Sequence, residues 1–166
     1  ANCCKQDQAM KLIENLKNIE NKYIILRLDL NVPIKNGKII DTNRIDKIIP
    51  TLDFLIKKKA KIIIVSHVGR PNGKIVKELS LAPISLCIKN KIKKEVYLLK
   101  EDIFSLKKKD IFKNSNYEVV LLENIRFYSE EEANDDKFSE KLASFGEIYV
   151  NDAFSCSHRD HASVSR

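Results

Sequence analysis

The sequence predicts an α/β fold, a Rossmann-like parallel sheet with helices on both faces in three αβα layers. Three observations predict it. Short apolar runs rich in Ile, Val and Leu recur along the chain, and apolar residues at helical spacing separate them. The runs are near-continuous rather than alternating, as strands buried on both faces require. At 166 residues, 43% of them hydrophobic, the chain is one domain long and can bury a proper core.

Residues 8–17 place Met10, Ile13 and Leu16 at helical spacing, so a helix is expected there. Tyr23-Ile24-Ile25-Leu26-Arg27-Leu28 reads as a buried strand, and a turn marked by Pro33 and Asn36-Gly37 follows. Asp41 or Thr42 can cap a helix in which Ile45, Ile48, Ile49, Leu52, Leu55 and Ile56 form one apolar stripe. Pro50 sits inside that stripe and should kink the helix or split it in two. Lys61-Ile62-Ile63-Ile64-Val65-Ser66 is a second buried strand, followed by a loop with His67, Gly69, Arg70, Pro71 and Gly73. Ser80 should cap a helix running through Leu86 and Ile88. Residues 95–99 form a third, weaker strand, and 102–109 a short helix. Glu118-Val119-Val120-Leu121-Leu122 is a fourth strand, with Asn124, Arg126 and an acidic run in the polar loop after it. A helix over 136–145, a fifth strand at Glu147-Ile148-Tyr149-Val150-Asn151 and another polar loop complete the order. No internal repeat or low-complexity linker divides the chain, so residues 1–166 are expected to form a single α/β domain.

The net charge of +7 and pI near 9.2 favour anionic partners without naming them. Four cysteines (Cys3, Cys4, Cys87 and Cys156) match neither a zinc ribbon nor a disulfide framework, which suits a reducing, cytoplasmic setting. No run is long enough to span a membrane, and Ala1-Asn2-Cys3-Cys4-Lys5 lacks the apolar core of a secretory signal. The first residue is not Met, which suggests processing or trimming.

Lysine is the default cation here, with 24 lysines against six arginines. An arginine therefore invites the question of what lysine could not do. Its flat five-donor fork grips carboxylates and phosphates bidentately. Arg27 falls near the end of the first strand, and Arg44 opens the first long helix. Arg70, Arg126 and Arg159 fall in the loops after the second, fourth and fifth strands. His67, His158 and His161 also lie in post-strand loops; only Arg166 has no such place. In open α/β sheets, ligands bind in the crevice outside the carboxyl ends of the strands. Asp29 and Asn31, alternate residues of an extended segment, can share a face there. A carboxylate and an amide suit a substrate hydroxyl, and Asp29 can also pair with one of the arginines. The pattern predicts a site for a small phosphorylated anion.

Three other readings meet the same residues. Cys156, His158 and His161, with Asp152 or Asp160, are close in sequence, but their spacing is not that of a common zinc motif, so no metal site is expected. Lys57-Lys58-Lys59 and Lys107-Lys108-Lys109 look like solvated helix ends. Nucleic-acid readers interleave aromatics with basic residues, and aromatics are only 7% here, so no nucleic-acid partner is expected. A truncated, non-catalytic module that only binds this anion is the third.

At its polar stretches the chain resembles phosphoglycerate kinase. The matching stretches are Arg27-Leu28-Asp29-Leu30-Asn31-Val32-Pro33, Asp41-Thr42-Asn43-Arg44-Ile45 and Ser66-His67-Val68-Gly69-Arg70-Pro71. Leu121-Leu122-Glu123-Asn124-Ile125-Arg126-Phe127, the Glu130-Glu131-Glu132 run, Tyr149-Val150-Asn151-Asp152-Ala153-Phe154 and Ser157-His158-Arg159-Asp160-His161-Ala162-Ser163 complete the set. They occur in family order over nearly the whole chain. The resemblance implies a phosphoryl transfer between 1,3-bisphosphoglycerate and ADP that gives 3-phosphoglycerate and ATP. It implies that Asp29 and Asn31 hold the C2-hydroxyl region of the substrate. His67, Arg70, Arg126 and Arg159 would bind its 3-phosphate. Arg44 would face the carboxyl end and steady the transferring group as the catalytic residue. Arg27, His158 and His161 would form a supporting basic patch. Mg-ATP or Mg-ADP would be bound by a second, C-terminal lobe, which is expected to be absent from these residues; the chain then supplies the phosphoglycerate lobe of a monomeric cytoplasmic enzyme. Two departures stand out: Leu30 where many members carry Phe, and Asp160 where a small residue is usual.

Overall fold

A computed structural model describes residues 17–113, 117–133 and 135–151. The helix expected over 8–17 lies outside these residues, save Lys17, as do Cys3, Cys4, Cys156, Arg159, Asp160, His158 and His161.

Five parallel strands form the sheet: β1 (Tyr23–Arg27), β4 (Lys61–Val65), β5 (Val96–Leu99), β6 (Val119–Leu122) and β7 (Ile148–Asn151). Their spatial order is β5-β6-β4-β1-β7. Interior β1 pairs with β4 from Tyr23 opposite Lys61 to Arg27 opposite Val65, and with β7 from Ile24 opposite Ile148 to Arg27 opposite Asn151. Alternate residues feed two cores. Ile24, Leu26, Ile62, Ile64, Val119 and Leu121 pack on one face with α1 (Asn43–Lys57) and α2 (Ala82–Ile92). Ile25, Ile63, Val65, Val120 and Leu122 pack on the other with α3 (Lys108–Ile111) and α5 (Asp136–Ala143). Strands wet on neither face must be apolar at every position, which is why they read as continuous runs.

Three local expectations change. The turn after β1 is a small hairpin, β2 (Ile34–Lys35) against β3 (Lys38–Ile39). Asn36 and Gly37 at its tip have φ of 52° and 73°, the positive pair that a two-residue hairpin turn demands. Helix α1 is not split: it runs unbroken through Pro50. Pro50 is exposed, so the carbonyl left without its amide partner faces water, while buried Ile45, Ile48, Leu52 and Leu55 anchor both halves. The helix expected over 102–109 is instead a turn followed by the single-turn α3. Asp102 explains the change. Its Oδ1 accepts the Phe104 amide at 3.1 Å, and its carbonyl accepts both the Ser105 amide and hydroxyl. Those local bonds compete with a helical ladder.

Caps match the expected helix starts in part. Thr42 precedes α1, but its hydroxyl donates to Asp46, while Asp41 Oδ1 accepts the Asn43 amide at 2.9 Å. Hydrogen bonds from Lys91 and then Thr42 hold the Asp46 carboxyl below its ordinary pKa, joining α2 to α1. Asp135 caps α5 by accepting the Phe138 amide at 3.0 Å.

At the amino ends of the strands, Glu147 ties the sheet together. It accepts the Tyr23 amide at 2.5 Å and Lys108 Nζ at 2.8 Å. Burial pushes its pKa up, but the bonds from Lys108 and the Tyr23 amide outweigh that and leave it below the ordinary glutamate value. A carboxylate with a depressed folded pKa adds stability above its unfolded pKa and loses it as pH falls through the folded one. Glu147→Gln should therefore melt below the parent at neutral pH, and the gap should close on acidification to about pH 3. Circular-dichroism melts across that range check this; a gap independent of pH would contradict the assignment.

Candidate functional site

Three loops meet at the carboxyl ends of β1, β4 and β6, and backbone bonds hold them in register. The Leu28 amide donates to Val65 O at 3.0 Å, and the Ile125 amide to Ser66 O at 3.2 Å. The Ser66 hydroxyl accepts the Leu30 amide at 3.1 Å. After β1 the chain stays extended, with Leu28, Leu30 and Val32 buried while Asp29 is partly exposed and Asn31 exposed. That alternation turns Asp29 and Asn31 to the same side, as the period of two predicts.

The polar side chains form a chain of contacts across the three loops. Arg44, from the first turn of α1, donates Nη1 to Asp29 Oδ1 at 2.7 Å. The same carboxylate oxygen accepts the Asn31 amide at 3.2 Å. Asn31 Oδ1 accepts the Gly69 amide at 3.1 Å, and Gly69 O accepts Arg126 Nη1 at 3.4 Å. Four residues expected at the site (Arg44, Asp29, Asn31 and Arg126) are thus linked through the backbone of Gly69. Asp29 does take the arginine partner its surroundings suggested. Arg44 stays about half exposed, so its guanidinium reaches both the carboxylate and solvent. His67 is buried and Arg70 exposed in the same loop as Gly69. Asn151 ends β7 beside Arg27.

Arg27, expected in a supporting basic patch, is wholly buried. Its Nη2 lies 3.5 Å from His67 Nδ1 and 3.8 Å from Glu131 Oε1, with His67 and Glu131 also buried. Its Nε and Nη1 have no hydrogen-bond partner among the described residues.

Sequence reasoning passed over the residues that hold these loops. Asn124 donates Nδ2 to Val68 O at 2.8 Å and Leu79 O at 2.9 Å, and its Oδ1 accepts the Arg126 amide at 3.1 Å. One buried amide therefore fixes the loops after β4 and β6 to each other. Glu123 accepts the Leu81 amide and the Ser80 hydroxyl, each at 2.7 Å, which places a carboxylate at the start of α2. The acidic run, expected in a loop, forms the short helix α4 (Ser129–Glu132) and turns Glu131 inward. Gly73 seats the Arg70 loop on that helix. A Cβ there would lie 2.8 Å from Ser129 Cβ and 2.9 Å from its Cα, and the Gly73 amide donates to Arg126 O at 3.1 Å. Gly73, Glu123, Asn124 and the Glu130-Glu131-Glu132 run stand out in the sequence, but nothing local to them gives these roles.

Among the described residues, no group of three or more His, Cys, Asp or Glu could hold a metal ion, and no helix is long and apolar enough to cross a membrane.

Comparison with known proteins assigns a family and a fold. A family model described as phosphoglycerate kinase matches residues 13–166. The phosphoglycerate kinase of Wolbachia pipientis subsp. Culex pipiens (strain wPip) is 46% identical over 149 residues, covering 90% of this chain and 37% of that protein. Its counterpart in Orientia tsutsugamushi (strain Ikeda) is 48% identical over 146 residues, covering 88% of this chain and 36% of that protein. The solved phosphoglycerate kinase from Coxiella burnetii superposes with a TM-score of 0.79 at 38% identity, over 90% of this chain and 37% of that one. The one from Pyrococcus horikoshii OT3 gives 0.75 at 31% identity, over 89% and 38%. The chain spans less than two-fifths of the length of these relatives.

Proposed function

The chain belongs to the phosphoglycerate kinase family, and we propose from that premise that it supplies the phosphoglycerate-binding lobe of the enzyme. The reaction is phosphoryl transfer between 1,3-bisphosphoglycerate and ADP, giving 3-phosphoglycerate and ATP. One observation carries the reading: the run of contacts from Arg44 through Asp29, Asn31 and Gly69 to Arg126, which joins three post-strand loops and places two arginines on one network.

Asp29 and Asn31 hold the C2-hydroxyl region of the substrate. His67, Arg70, Arg126 and Arg159 take the 3-phosphate, with His158 and His161 completing the basic surround. Arg44 stands at the carboxyl end, where the phosphoryl group moves. Phosphoryl transfer asks the protein for alignment and for charge placed where the transition state develops it. Asp29 supports that role by holding the Arg44 guanidinium in place while leaving about half of it accessible. Mg-ATP or Mg-ADP belongs, on this reading, to residues outside these 166, and residues 1–166 act as one lobe. The whole works as a cytoplasmic monomer on small molecules.

Titration calorimetry of the chain with 3-phosphoglycerate, and with glycerate as the phosphate-free control, tests the reading. Binding is expected for the first, weakening with added salt, and not for the second. Equal responses to both, or none to 3-phosphoglycerate, would reject it.

A further inference from the structure

Resting on the reading of these post-strand loops as a phosphoglycerate site, we propose that Glu131 is a positioning residue which, through Arg27, fixes the His67 ring as a donor to the substrate phosphate.

The argument starts from burial. Glu131 belongs to a run of three glutamates on a one-turn helix, yet it is fully buried. A glutamate is almost never fully buried unless paired, because its charge loses water. The cation it faces is Arg27, equally buried, at 3.8 Å. Arg27 in turn meets His67 Nδ1 at 3.5 Å. An arginine carries five donors and no acceptor and stays charged, so the bond to His67 has one possible sense. Arg27 donates, and Nδ1 accepts through its lone pair. The ring hydrogen then sits on Nε2, the form from which a phosphate oxygen can accept.

Helix α4 is braced to hold Glu131 there. The Glu131 amide donates to Tyr128 O at 3.2 Å, and Ser129 supports the backbone of Gly73 from the Arg70 loop. One short helix thus touches the phosphate site twice, under His67 through Arg27 and beside Arg70 through Gly73. Removing the Glu131 charge would take from buried Arg27 the carboxylate that faces it among the described residues, and so weaken its hold on His67.

The sign of the effect separates positioning from plain electrostatics. Glu131→Gln deletes a negative charge beside an anion site. If Glu131 acted by charge alone, 3-phosphoglycerate would bind more tightly. Positioning predicts the opposite: affinity falls about tenfold, the loss of one charge-assisted hydrogen bond. The second readout is the ring itself. Nitrogen-15 shifts of His67 should report the Nε2–H tautomer in the parent and a mixture in Glu131→Gln. Unchanged shifts, or affinity equal to or above the parent, would overturn the proposal. Should Glu131→Gln fail to fold, the double variant Arg27→Met/Glu131→Leu removes both charges at similar volume, a change that buried pairs often tolerate. It should show the same loss of affinity, and parental binding would overturn the proposal equally. If the parent binds no 3-phosphoglycerate, the functional reading fails, while the nitrogen shifts still decide whether Glu131 controls His67.

Discussion

Arg126→Lys should weaken 3-phosphoglycerate binding by roughly ten- to a hundredfold while the protein stays folded, equivalent to about 1.5–3 kcal/mol for a hydrogen bond to a charged group. The substitution keeps the positive charge, so any loss reports geometry. Arg126 is buried to 3% exposure, its Nη1 reaches Gly69 O, and its amide is fixed by Asn124. Its guanidinium plane is therefore set before a ligand arrives. A lysine ammonium offers a point charge with no fork, and it forfeits the Gly69 contact that ties Arg126 to Asn31. Calorimetric titration of both proteins, with matched melting curves, checks this. Equal affinities would mean that charge suffices and that the planar fork is irrelevant.

Gly73→Ala should lower stability by about 2–4 kcal/mol, summing backbone strain and overpacking. For a chain of this size that is a fall in melting temperature of roughly 6–12 °C. Gly37 supplies an internal control. Both glycines have φ of 73°, so alanine meets the same left-handed strain at each. At Gly37 a Cβ would find nothing within 4 Å, whereas at Gly73 it would press on Ser129 Cβ, Cα and N at 2.8, 2.9 and 3.0 Å. Backbone atoms cannot step aside as a flexible side chain would. The difference between the two melts isolates the seating of the Arg70 loop on α4. Equal falls would deny that contact.

What could be read beforehand follows a physical division. The strands were visible because Ile24–Leu26 and Ile62–Val65 must be apolar on both faces of a parallel sheet, a local and repetitive signal. Arginine placement was visible because a lysine-rich chain uses arginine at so few points. Burial of polar groups was not visible, since it depends on partners distant in sequence. Arg27 faces Glu131, and Asn124 grips Val68, contacts that no window of residues contains. Pro50 does not split α1 because the cost of a proline depends on which way the helix faces there, and Pro50 faces water. The 102–109 segment misled because Asp102 gives a short stretch a competing set of bonds.

The place of β1 between β4 and β7 has a consequence in time. Tyr23 bonds Lys61's strand nearby in sequence, but its other partner is Glu147, 124 residues further on. Pairings of such long separation form slowly, because chain entropy must be given up before any contact repays it. On a ribosome, Arg27 is made early and waits for β7 to emerge before its sheet is whole. Helix α4 and Glu131 precede β7 by only about one helix, so the buried arginine gains its counter-charge and its last neighbouring strand almost together. Until then β1 is the open edge of the sheet, which other chains could pair with. Assembly of the sheet is thus exposed to aggregation for as long as β1 lacks β7, and slowing translation between β6 and β7 should lengthen that window.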